Sequence, residues 1–157
     1  LLLLVGCSES KVILQETPVQ KTYGQVYYHN ETGNTVTLPG ANQYTNITLN
    51  SGSHCVGMEC GGYMLNITTS AFYSAEYHLS FSGSANREYH STIGVNGVEK
   101  DECHGARFIG TGGDVGNMGG TCQIYLNSGD VITLMVENED GGQDLSLQDS
   151  NFNLVLI

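Results

Sequence analysis

The stretch Ala75-Glu76-Tyr77-His78-Leu79-Ser80-Phe81 places apolar residues at odd positions and polar ones at even positions. Successive side chains of an extended chain point to opposite faces, so this spells a strand with one face on a core and one on water. The pattern continues outward. Tyr89, Ser91, Ile93 and Val95 share one face, and Glu88, His90 and Thr92 the other. Cys122, Ile124 and Leu126 alternate with Thr121, Gln123 and Tyr125. Val131 to Val136 is nearly continuous apolar, as in a strand buried on both faces. The end, Asn151 to Ile157, begins alternating and finishes apolar. No comparable window keeps an apolar stripe at helical spacing.

Turn signals separate these runs. Val95-Asn96-Gly97-Val98 predicts a two-residue hairpin, because Asn96 and Gly97 both tolerate the positive φ of a type I′ turn. Asn127-Ser128-Gly129-Asp130, Asp140-Gly141-Gly142 and Pro39-Gly40 are further breaks. Several short strands with Gly-rich turns predict an all-β sandwich or barrel-like jelly roll.

The 157 residues amount to one domain. Charged residues are only 13%, against roughly 25% in a typical protein, and nine Tyr with four Phe supply core material. Five Lys and Arg against 16 Asp and Glu give a formal charge of −11, which repels phosphate backbones and excludes nucleic acid as a partner.

The chain opens with an apolar run, Leu1 to Leu4, then Val5-Gly6-Cys7 and polar Ser8-Glu9-Ser10. Leu4-Val5-Gly6-Cys7 resembles the lipobox of bacterial lipoprotein signal peptides, in which the Cys7 thiol would take the lipid. The run is shorter than the ~20 apolar residues of a membrane span and lacks a basic flank, so it reads as the end of such a signal. The expected organisation is a signal remnant over residues 1–7, a polar tether over 8–22 and a jelly-roll domain over 23–157. A lipid anchor at Cys7 would then be the sole membrane contact.

A second resemblance begins at Gly94-Val95-Asn96-Gly97-Val98, which looks like the central hairpin of tumour-necrosis-factor-like and complement-globular-head jelly rolls. The likeness continues through Gly119 to Leu134 and into the closing strand Ser150 to Ile157. Ile109 to Gly116 is similar to a loop in small phage-encoded proteins of this type. The resemblance covers roughly residues 70 to 157 well and 23 to 69 loosely. It implies a sandwich of about ten antiparallel strands, homotrimeric and non-enzymatic, used for recognition or as a surface part. No collagen-like stalk is present, so the heads alone would hold the trimer.

Apart from Cys7, the cysteines are Cys55, Cys60, Cys103 and Cys122. An even count in an exported domain favours two disulfides. Cys55 with Cys60 is the natural local pair across a Gly-rich loop, leaving Cys103 to Cys122. A zinc site from His54, Cys55, Cys60, Cys103 and His104 competes, though adjacent Cys103 and His104 seldom reach one metal together. His29, His78 and His90 fall on polar strand faces, and Glu76 and Glu88 face outward beside ordinary polar residues. No catalytic constellation stands out.

Glu137, Glu139, Asp140 and Asp144 crowd a Gly-permitted turn and are candidate Ca²⁺ ligands. The plainer and preferred reading is a solvated hairpin tip. Asn30, Asn46 and Asn66 each begin an N-x-[ST] sequon, relevant only in a glycosylating host.

These readings lead to a non-enzymatic extracellular structural or attachment module that forms a homotrimer. The favoured form is a phage-encoded virion component, a head decoration or fibre part, with other virion proteins or a host-surface ligand as partners. The alternative is a lipid-anchored bacterial surface lipoprotein of the outer membrane that binds a ligand or partner protein.

Overall fold

The computed structural model describes residues 21–49 and 52–157. The lipobox, Cys7 and nearly all of the tether lie outside the described residues. The described residues form twelve strands: β1 (Tyr23–Val36), β2 (Thr45–Asn46), β3 (Gly52–Val56), β4 (Glu59–Gly61), β5 (Met64–Asn66), β6 (Ala71–Ser82), β7 (Arg87–Val95), β8 (Val98–Glu99), β9 (Gly105–Ile109), β10 (Val115–Leu126), β11 (Val131–Asn138) and β12 (Leu145–Leu156). Two of them, β2 and β8, are only two residues long, so the number of substantial strands is near the expected ten. A one-turn helix, Asp101–Cys103, links β8 to β9.

The strands form a jelly-roll sandwich. A five-stranded sheet runs β10-β6-β12-β1-β3. A seven-stranded sheet runs β4-β5-β11-β7-β8, with β2 added on β11 and β9 on β7. Every strand pairing is antiparallel, as hairpins and Greek-key returns require.

The alternation in β6 sets the interior. Tyr73, Ala75, Tyr77, Leu79 and Phe81 point inward and are buried, while Phe72, Glu76 and His78 face out. Phe152 and Leu154 of β12 join them from the adjacent strand. Across the sandwich, Ile93 of β7 and Ile132, Leu134 and Val136 of β11 close the core. Phe81 packs its ring edge-on against Tyr89 at 5.4 Å, joining the two sheets in an orientation that suits aromatic quadrupoles. β11 is buried along nearly its whole length, in keeping with its continuous apolar run.

Polar bonds also cross the layers. The Tyr77 hydroxyl of β6 lies 2.8 Å from the Ser91 carbonyl and 2.7 Å from that of Cys103, both on the other sheet's side. At the same edge β9 and β10 approach so closely that a Cβ on Gly105 would meet the Gly119 carbonyl oxygen at 2.4 Å. Thr22, read as tether, belongs to the fold: it is buried, and its carbonyl accepts the Leu156 amide.

Candidate functional site

The outward face of the five-stranded sheet is polar at one end and apolar at the other. His29 of β1 bonds Asp149 of β12 at the polar end, with Ser80 and Asn117 continuing the row on β6 and β10. Cross-strand register puts Val56, Tyr23 and Val155 in one row near the opposite end. The next row holds Phe72 and Tyr125, with the Ile157 amide bonded to the Phe72 carbonyl. Phe72 and Tyr125 stack edge-on at 5.3 Å and still expose 56% and 52% of their surfaces. Ile157 and Val155 expose 58% and 46%. An open groove of about 660 Å³ beside them is bounded by Phe72, Tyr125, Val98 and Lys100. These side chains make the exposed apolar part of an otherwise polar outward face.

The seven-stranded sheet carries a different cluster on its outward face. His90 of β7 lies directly across from Glu137 of β11, and the Glu139 amide bonds the Glu88 carbonyl in the adjoining row. Because side chains repeat every second residue, Glu88 and His90 share a face, as do Glu137 and Glu139. His90 Nδ1 lies 3.1 Å from Glu137 Oε1, while its Nε2 lies 3.5 Å from Glu88 Oε1 and 3.7 Å from Glu139 Oε2. Glu137 is buried and also accepts the Tyr44 hydroxyl, whose pKa is pushed upward by burial and then by that carboxylate's charge. The His104 ring packs against His90 at 4.7 Å, nearly perpendicular. Sequence reading set Glu88 and His90 aside as ordinary polar positions. The two i, i+2 pairs were visible, but only the β7–β11 register brings them together.

Cys55 is bonded to Cys60 and Cys103 to Cys122. A zinc centre built from those cysteines is therefore excluded, since a disulfide sulfur carries no thiolate to offer. Its two histidines are also apart: His54 bonds the Tyr23 hydroxyl, whereas His104 stands on His90. Among the described residues, the four candidate Ca²⁺ ligands do not gather within ligating distance of one another. Asp140 accepts the Glu88 amide and Asp144 the Leu38 amide. Glu137 and Glu139 turn instead to His90. Asn96 and Gly97 form the β7–β8 turn with φ of 54° and 79°. Of the sequon residues, Asn30 bonds Thr32 locally, while Asn46 accepts the Thr133 hydroxyl and Asn66 lies half-buried within β5.

No protein-family model matches the chain, and no curated protein does. Solved structures do share the fold. Murine APRIL superposes with a TM-score of 0.62 at 12% identity, over 88% of this chain and 100% of that one. Eiger TNF from S. frugiperda gives 0.62 at 12% identity, over 88% and 93%. The globular domain of zebrafish complement 1qA gives 0.58 at 14% identity, over 88% and 98%. The architecture is thus the TNF-like and complement-head jelly roll.

Proposed function

We propose that the chain is a non-enzymatic extracellular structural or attachment module that works as a homotrimer. The observation that carries this reading is the apolar patch of Val155, Ile157, Phe72 and Tyr125 on the outward face of the five-stranded sheet. A monomer would leave those side chains wet. The patch runs to the β10 edge, where Phe72 and Tyr125 also form one wall of the groove; the opposite wall, with Val98 and Lys100 on the other sheet's side, is a second, differently shaped surface. Face against edge is a heterologous contact, and a heterologous contact closes into a ring when the rotation fits. The jelly-roll resemblance implies three copies. Light scattering on the intact chain at micromolar concentration should give three times 16.8 kDa, and Phe72→Ser with Tyr125→Ser should lower it to 16.8 kDa with the fold retained. A wild-type particle of 16.8 kDa would overturn the reading.

Within this class we favour a phage virion component, a head decoration or fibre part. The loop Ile109 to Gly116 supports it: Gly110 to Asp114 stand exposed between β9 and β10, where a partner protein can reach them. The lipobox supports a second reading, a lipid-anchored surface lipoprotein. Intact-mass measurement separates the two, because an acyl adduct on Cys7 belongs only to the second.

A further inference from the structure

Among the described residues, Glu88, His90 and Glu139 are the set of three whose ligating atoms all come within 4.8 Å of one another. We propose that His90 Nε2, Glu88 and Glu139 bind a zinc-class divalent cation on the outward face of the seven-stranded sheet, with buried Glu137 orienting the imidazole. The tautomer argument comes first. An ionised carboxylate only accepts hydrogen bonds, so Glu137 requires the proton on His90 Nδ1. In the neutral ring Nε2 then presents a lone pair, and it faces two more acceptors, Glu88 Oε1 and Glu139 Oε2. Three electron-rich atoms converge there with no donor among them. A cation resolves that conflict, and a second proton on the ring is its competitor.

Register sharpens the point. Glu88 of β7 and Glu139, in the turn just past the end of β11, are joined by a backbone bond, and like charges placed side by side in this way repel. Among the described residues no lysine or arginine ion-pairs with either; the side chain that faces both is His90. The spacing also suits the ion. Bonds of about 2.0–2.2 Å place neighbouring ligands of a tetrahedron about 3.3–3.6 Å apart. The separations found from Nε2 are 3.5 Å and 3.7 Å. An imidazole nitrogen with two carboxylates favours zinc over Ca²⁺, which takes six to eight oxygens. Glu137, held by Tyr44, supplies the carboxylate behind the histidine that such centres use to fix ring and tautomer.

The test uses the full chain, stripped with chelator and titrated with Zn²⁺ by calorimetry, with Co²⁺ as a spectroscopic probe. One ion per chain is expected, with no comparable uptake of Ca²⁺. Glu139→Gln and His90→Gln should abolish uptake, Glu137→Gln should weaken it about 10- to 100-fold, and Cys7→Ser should leave it intact. Glu139 is exposed, so its variant keeps the fold, and melting in chelator checks each protein. Wild type without saturable uptake, or binding that survives either His90→Gln or Glu139→Gln, overturns the proposal. The site lies on the sheet opposite the apolar patch, so its failure leaves the trimer reading untouched.

Discussion

At Gly97 backbone conformation acts alone. Its φ is 79°, and nothing stands within 4 Å of where a Cβ would be placed. A side chain there therefore meets open space, and only the left-handed backbone resists it. Gly97→Val should cost about 1 kcal/mol or more, read as a lower melting temperature. His29 shows a charge effect with a definite sign. Its hydrogen bond to Asp149, then the same group's charge, raises its pKa from 6.5. A group whose folded pKa is raised stabilises the fold fully below its unfolded pKa and loses that contribution as pH climbs through the folded one. The contribution should thus fade above pH 6.5, towards the higher folded pKa. Proton NMR should find the His29 titration midpoint above 6.5, and Asp149→Asn should bring it back down.

Among the elements, the two disulfides share one task. β3 and β4 are edge strands of different sheets, and Cys55–Cys60 joins them. On the other side, Cys122 of edge strand β10 reaches Cys103, just before β9. Each open flank of the sandwich is thus stapled once. Their contributions should differ, because cross-links stabilise partly by restricting the unfolded chain, and more so for longer loops. The separations are 5 and 19 residues. Removing Cys103–Cys122 by paired serine substitutions should cost about 1 kcal/mol more than removing Cys55–Cys60, measured by denaturant unfolding. An equal loss would mean that native-state packing, and not loop length, sets the difference.

For the whole molecule, the last strand separates folding from assembly. Leu154 is fully buried between β1 and β6, whereas Ile157 is mostly exposed on the single chain. Leu154→Ala should destabilise the fold by about 2–5 kcal/mol through the cavity it leaves. Ile157→Ser should leave unfolding nearly unchanged and weaken the trimer, seen as a concentration-dependent mass. Loss of folding in the Ile157 variant would place that residue in the core instead of at a contact between copies.

The fold class, the inward face of β6, the β7–β8 turn and the two-sided burial of β11 were all legible in the residues before any contact was known. Those features depend on side-chain period and local φ, which a stretch of a few residues specifies alone. The tertiary structure decided the rest. It showed that Thr22 belongs to the fold, that each disulfide staples one flank of the sandwich, and that Asp140 and Asp144 serve as backbone acceptors. The His90 cluster was the least legible part. Glu88 and His90 lie some fifty residues from Glu137 and Glu139, and each pair alone looks like an ordinary polar face. Only the pairing of β7 with β11 places one imidazole among three carboxylates. Register between distant strands is set by how the whole core closes, and no local pattern carries it.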